Sequence, residues 1–257
     1  MNQVNIKNII GKSFKLYSEK FSLFTGIATV SFIAQLLEVA ITHLRVGHDF
    51  LSMKSVGFFI GMIFLVIDLA MIIVSTTVIS KRYNDEYVDL NEAFLSWSGR
   101  LGRYIGVMLI FILVSIIPAI IGTIVYAFVT TKILKYFLLG LMSIPVIYLM
   151  TIYSFAPYVA ILESKNINSF AMSKNLVKNY FWKVILVFTI SYVILFVPSY
   201  LIKIGRDYIP LFQRIDNTYL ELIKKFIAIF TGVLTNVFSI SLYYALKEKS
   251  EAIIDTV

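Results

Sequence analysis

The sequence predicts an all-α polytopic membrane protein with six transmembrane helices. Hydrophobic residues make up 59% of the 257 residues, and the mean hydropathy is +0.84. Charged residues make up only 15%, against about 25% in soluble proteins. Six stretches are almost free of charge, and each has about the 20 residues that a helix needs to cross a bilayer. These stretches cover residues 21–44, 56–80, 104–129, 136–162, 184–202 and 226–246.

The segments between the predicted spans leave no room for a catalytic domain, because none exceeds about 25 residues. We therefore predict a single membrane domain over residues 1–257. The N-terminus lacks the short apolar core and small-residue site of a removable signal peptide. The chain has no cysteine, which excludes disulfides, thiolate nucleophiles and thiolate metal sites.

No enzyme signature is found, so we expect no catalytic residue, no cofactor and no enzymatic activity. The sequence contains no glycine-rich phosphate-binding loop and no serine–histidine pairing typical of acyl transfer. Its two histidines, His43 and His48, are five positions apart. That spacing does not place both rings on one helical face, so no metal site is predicted.

The distribution of basic residues predicts the orientation in the membrane. Six spans put both termini on one side, and that side carries 14 Lys and Arg residues against nine on the other. Because basic residues favour the cytoplasmic side, we predict cytoplasmic termini in a bacterial-type cell membrane. The net charge of +8 is spread along the flanks of the spans, which favours anionic lipid headgroups as partners and argues against nucleic acid.

Three segments that precede predicted spans carry apolar residues on one helical face, which is typical of a helix lying in the headgroup plane. We therefore predict three cytoplasmic amphipathic helices; plain connecting helices are the alternative. The three faces consist of Ile6, Ile9, Ile10, Phe14 and Tyr17; of Leu90, Ala93, Phe94, Trp97 and Leu101; and of Phe170, Val177 and Phe181. Lys174 and Lys178 flank the third face, and their stems can lie along lipid while the ammonium groups reach phosphates.

An amphipathic segment followed by two spans occurs three times, which suggests a repeat of about 80 residues. The repeat units would be 4–80, 88–162 and 167–247. Residue-level support comes from one fragment of the first unit, Ser13, Leu16 and Phe21, which has the spacing of a fragment of the third. Any chain of helical hairpins also looks periodic, so the repeat stays one of two interpretations.

Two carboxylates, Glu38 and Asp68, lie within apolar stretches, and Gln35 is one turn from Glu38. An ionised acid at the centre of a membrane helix costs about 2.5–3.5 kcal/mol on insertion scales. These side chains therefore predict either a proton or cation relay, or hydrogen bonds between helices that fix packing.

Residues 169–183 contain a further pattern. Ser173 stands three positions before Leu176, Lys178 follows, and the pair Phe181-Trp182 enters a span. The pattern resembles the cytoplasmic helix of the glycerophosphoryl diester phosphodiesterase membrane-domain family.

Two more stretches are similar to that family. Glu163 fits the acid that closes the preceding span, and 242–251 resembles the family ending, a Leu-Tyr pair followed by basic residues and an acid. Asn179 and Ala245 depart from the pattern, in which glycine and aspartate are common. The family name comes from proteins that fuse this membrane region to a phosphodiesterase domain, so the resemblance implies a fold and a membrane setting and no catalytic residue.

Taken together, these patterns favour a non-enzymatic scaffold or accessory subunit that binds lipid or a membrane-protein partner. The residues expected to meet anionic headgroups and the interface are Lys165, Lys174, Lys178, Lys183, Phe181 and Trp182. The alternative is a transporter, a permease component or an export or immunity protein that uses Glu38 and Asp68.

Overall fold

The computed structural model describes residues 5–44, 52–128, 131–209 and 217–254, and the regular structure in these residues is entirely α-helical. The predicted all-α class is therefore confirmed for this part of the chain. The helices described are α1 (Ile6–Glu19), α2 (Phe21–Leu44), α3 (Ser52–Tyr83), α4 (Leu90–Phe128), α5 (Lys132–Ile152), α6 (Ala156–Leu162), α7 (Ser169–Val177), α8 (Phe181–Tyr208) and α9 (Asn217–Ile254).

Five apolar segments in the described residues are long enough to cross a membrane, judged by length and composition. The segments are Gly61–Tyr83, Leu90–Val114, Lys132–Leu162, Phe181–Arg206 and Tyr219–Glu251. The pair α1–α2, bent by 78°, would make a sixth if it counts as one span. The prediction of several helices that are long and apolar enough to span a membrane is thus confirmed, with five or six such segments among the described residues.

The chain forms two compact units, which are described in turn. The first takes in Met1–Ser98 and Val187–Leu242, and the second takes in Gly99–Leu186 and Tyr243–Val257. The helices α4, α8 and α9 each contribute residues to both units.

In the first unit, α1 covers the first of the three segments for which the sequence predicts an amphipathic helix. Asn5 caps it, because its Oδ1 accepts hydrogen bonds from the backbone N–H groups of the next turn. Ile9, Ser13 and Leu16 form its buried face. Phe14 makes an edge-to-face contact with Phe238, with ring centroids 5.2 Å apart. This apolar face therefore packs on other helices of the unit.

A polar contact between helices of the first unit involves the half-buried amide of Asn236. Its Nδ2 donates hydrogen bonds to Ser75 Oγ and Thr76 Oγ1, both at 3.2 Å. The bonds join α9 to α3 between apolar stretches. Asn236 is thus an example of the interhelical hydrogen bonding expected between membrane helices.

The segment that begins at Leu90 is not a separate helix. It is the first part of α4, which continues without a break to Phe128, so the predicted count of three amphipathic helices is not confirmed. Asp89 caps this helix, since its Oδ1 accepts from Asn91 N–H at 2.9 Å. Glu92, in the first turn of this helix, forms an ion pair with Lys81 at 3.0 Å.

In the second unit, the predicted span 136–162 divides into α5 and α6. A turn over residues 153–155 separates them, and Pro157 lies in the first turn of α6. Proline fits there because the first N–H groups of a helix have no partner within the helix. Lys132–Leu162 is still one candidate span by length and composition, and the turn within it is a break that the sequence did not predict.

The turn is held by Ser173 of α7. Its Oγ donates to the carbonyl oxygen of Ile152 at 2.8 Å and accepts from Phe155 N–H at 3.1 Å. Both bonds are buried. Ser173 therefore completes the backbone hydrogen bonding where α5 ends.

The apolar face of α7 packs inside the second unit. Val177 is fully buried. Phe170 lies against the cluster of Val107, Ala156 and Ala160. Helices α5 and α6 pack against α7, so the prediction that this face lies in the headgroup plane is not confirmed.

Candidate functional site

The predicted headgroup lysines lie on the outside of the second unit. Lys165, Lys174 and Lys178 are exposed. Lys183 is half-buried, and its Nζ is 5.8 Å from the centroid of the Tyr180 ring. The lysines are therefore accessible side chains on and around α7.

The predicted interface aromatics begin α8. Trp182 is 77% exposed, whereas Phe181 is half-buried. The Phe181 ring contacts Trp182 and Tyr148, with centroids 5.5 Å apart in both pairs. Of these two aromatic side chains at the N-terminus of α8, Trp182 is thus the one exposed to its surroundings.

The intramembrane polar candidates lie in the first unit. Gln35 is half-buried in α2, and Asp68 is half-buried in α3. Glu38 belongs to α2 as well, but its side chain lies outside the described residues, as does His48. The relay between the two acids stays a prediction.

A denser group of polar contacts surrounds Glu163, the residue that follows α6. Tyr243 Oη donates a short hydrogen bond to Glu163 Oε1. Lys247 Nζ donates to the same oxygen at 2.6 Å. The Glu163 side chain is 14% exposed and that of Lys247 is 25% exposed. The carboxylate therefore joins the end of α6 to the last turns of α9.

Arg103 of α4 binds the backbone on the other side of Glu163. Its two terminal nitrogens donate to four acceptors, which are the carbonyl oxygens of Glu163 (2.8 Å), Ser164 (2.8 Å) and Ile167 (2.6 Å) and the Ser169 Oγ (3.1 Å). The planar guanidinium suits this multiple contact because its donors form a rigid fork. Arg103 thereby fixes the loop that connects α6 to α7.

Electrostatics keep Glu163 ionised. Burial acts to raise the pKa of its carboxyl. Hydrogen bonds from Lys247 and Tyr243 favour the charged form, and so do the positive charges of Lys247 and Arg103. The net result is that the pKa of Glu163 lies below its ordinary value. The group is therefore a paired carboxylate at neutral pH.

A cavity of about 300 Å³ lies beside this group. Ala160 and Ile161, each 2% exposed, supply buried apolar lining. Its lining residues are Gly99, Arg100, Arg103, Ala160, Ile161, Leu162, Glu163, Ser164 and Lys165. The cavity therefore combines apolar lining with three basic side chains and one acid.

The sequence did not identify Arg100 and Arg103 as site residues. Both were counted only among basic residues that flank spans, and no local pattern separates them from the others. Glu163, Tyr243 and Lys247 did lie in the stretches that carry the family resemblance. Their direct contact became visible only once the chain was folded.

Comparison of the chain with protein-family models, curated proteins and solved structures gives no match. The resemblance to the glycerophosphoryl diester phosphodiesterase membrane-domain family stays a prediction. Among the described residues, no group of three or more His, Cys, Asp or Glu side chains is placed to hold a metal ion.

Proposed function

We propose that this protein is a non-enzymatic integral membrane component that binds anionic phospholipid and so serves as a scaffold or accessory subunit for a membrane partner. In the proposed arrangement the chain crosses the cell membrane six times with both termini in the cytoplasm. The proposed fold is that implied by the family resemblance.

The observation that carries the proposal is the two-sided character of α7. One side buries Ser173, Leu176 and Val177, and the other exposes Lys174 and Lys178. The buried side packs against α5 and α6. The lysines therefore present positive charge on the exposed side of a packed helix.

The start of α8 supports the same proposal. Trp182 is 77% exposed and begins an apolar segment, Phe181–Arg206, that is long enough to cross a membrane. Tryptophan is enriched where such helices meet the headgroup region. The exposed lysines of α7 precede it directly in the chain, as expected for a headgroup-binding surface.

Trp182 also provides a reporter for the test. Trp97 is the other tryptophan, so the Trp97→Phe variant isolates the Trp182 fluorescence. In nanodiscs we expect brominated phosphatidylglycerol to quench Trp182 more strongly than brominated phosphatidylcholine at equal mole fraction. Each basic residue near an anionic surface is worth about 1 kcal/mol, so replacing Lys174 and Lys178 with Gln should lower this preference at least fivefold.

Lys132 is an exposed lysine at the start of α5, on the opposite predicted side of the membrane. Lys132→Gln is the matched control and should leave the quenching ratio unchanged. Equal quenching by the two lipids in the Trp97→Phe protein would contradict lipid selectivity. Solute flux in proteoliposomes that is lost in Asp68→Asn would favour the transport alternative instead.

A further inference from the structure

We infer that the cavity between α4 and the end of α6 is a specific binding site for the glycerol-phosphate headgroup of one anionic phospholipid. The inference rests on the proposed function, since it names a discrete site for the lipid class proposed there. It concerns Arg100 and Lys165 at the cavity, whereas the preceding test concerns the α7 lysines.

The first argument is size. Small-molecule sites usually measure about 300–1,000 Å³, and this cavity, at about 300 Å³, is at the lower end. This volume can hold a phosphate with a glycerol. Gly99 keeps the α4 side open, because a Cβ built there meets nothing within 4 Å.

The second argument is charge. Arg100, Arg103 and Lys165 line the cavity together with a single acid, Glu163. The acid is already paired with Lys247 at 2.6 Å. The cavity lining therefore carries more basic than acidic side chains. Positive charge at the edge of apolar surface attracts a phosphate more strongly than it would in bulk water.

Arg103 also makes the cavity more favourable for an anion through its hydrogen bonds to the backbone. Backbone carbonyl oxygens are hydrogen-bond acceptors with partial negative charge, which would repel a phosphate. The Arg103 guanidinium binds the carbonyl oxygens of Glu163 and Ser164, both at 2.8 Å, just after α6. Arg103 thereby offsets the negative charge of these acceptors, and the cationic side chains of Arg100 and Lys165 line the same cavity.

The third argument selects a lipid as the source of the phosphate. The cavity adjoins Leu162, where the apolar candidate segment Lys132–Leu162 ends, and it contains the buried side chains of Ala160 and Ile161. The end of an apolar segment is the depth at which headgroups lie, and basic pockets there bind anionic headgroups.

The test is native mass spectrometry of the full chain in detergent, titrated with phosphatidylglycerol and, separately, phosphatidylcholine. We expect one phosphatidylglycerol to bind with an affinity at least tenfold above that of further copies, and no such step with phosphatidylcholine. Arg100→Gln and Lys165→Gln should each weaken this step about fivefold, the effect of one basic residue near an anionic group. Soluble glycerol phosphate should not displace the bound lipid.

Two glycines of α4 provide a matched pair that leaves every charge in place. Gly99 lines the cavity and Gly102 does not; both are exposed, and both have open space where a Cβ would be. Leucine is a better helix former than glycine, so both variants should fold. Gly99→Leu should weaken the first binding step at least tenfold, and Gly102→Leu should leave it unchanged.

Equal binding by the Gly99→Leu and Gly102→Leu variants would overturn the inference, as would equal binding of the two lipids. Displacement by soluble glycerol phosphate would reassign the cavity to a free phosphate compound. If the single tight step is missing but Trp182 quenching still depends on the α7 lysines, the cavity inference fails and the proposed function stands. If the tight step is present and the quenching shows no preference, the proposed role of α7 fails instead.

Discussion

Replacing Glu163 with alanine should destabilise the protein by about 3 kcal/mol, from two charge-assisted hydrogen bonds worth about 1.5–3 kcal/mol each. Both bonds end on Glu163 Oε1, one from Tyr243 and one from Lys247 at 2.6 Å. The Glu163 side chain is only 14% exposed, so water does not replace these contacts in the folded protein. Lys247 is 25% exposed, so its ammonium can recover some hydration, which places the estimate near the lower end of the combined range.

The measurement is equilibrium unfolding in mixed detergent micelles, followed by far-ultraviolet circular dichroism. The control is Glu92→Ala, which removes a 3.0 Å ion pair with Lys81 from a site where Glu92 is 66% exposed. Exposed pairs contribute about 0–1 kcal/mol, so the control should lose little. The reasoning is refuted if Glu163→Ala and Glu92→Ala lose the same free energy of unfolding.

Acid titration tests the same site. Because the pKa of Glu163 is lowered in the folded protein, its contribution is fully present above the unfolded value of about 4.3. The contribution is lost as the pH falls through the lower, folded pKa. Between pH 7 and pH 3 the melting temperature of the wild-type protein should therefore fall more steeply than that of Glu163→Gln. Parallel curves for the two proteins would show that the carboxylate is not stabilised by its neighbours.

Two further substitutions address the second unit. Arg103→Lys loses the planar guanidinium that reaches four acceptors. It should lower the free energy of unfolding by about 2 kcal/mol and speed hydrogen exchange in residues 163–169. Exchange at the wild-type rate would exclude the role of Arg103 in fixing this loop. Ser173→Ala leaves a buried backbone N–H and C=O without their hydroxyl partner and should cost about 2 kcal/mol of unfolding free energy. The control is Ser13→Ala, which removes a hydroxyl that donates to Ile9 of its own helix and should cost under about 1 kcal/mol of unfolding free energy. Equal losses for the two serine variants would contradict the role of Ser173 in holding the turn.

The sequence predicted single helices well and their breaks poorly. The apolar periodicity around Ile9 and Leu16 predicted the helix α1, because one face of this helix is buried and the opposite face is exposed. The same reasoning placed Phe170 on a face toward the membrane surface, and in the structure this side chain packs against Val107, Ala156 and Ala160. Periodicity reports that a face is apolar, and it does not report whether lipid or another helix covers that face.

The residues of the candidate site also differ in how far the sequence predicted their roles. The exposure of Lys174 and Lys178 followed from their positions beside an apolar stripe. The role of Arg103 did not, because its acceptors lie about 60 positions away in the sequence. Backbone carbonyl oxygens are the same at every residue, so no side-chain pattern marks the ones that a distant guanidinium will bind.

By itself, the sequence determined that the chain is helical and that several of its helices are long and apolar enough to cross a membrane. These properties depend on composition and on spacing within one segment, and so they can be read locally. Only the tertiary structure decided that Glu163 meets Lys247, and that a cavity opens beside Gly99 at the end of α6. Contacts between residues far apart in the chain depend on how the helices pack, which local periodicity does not encode.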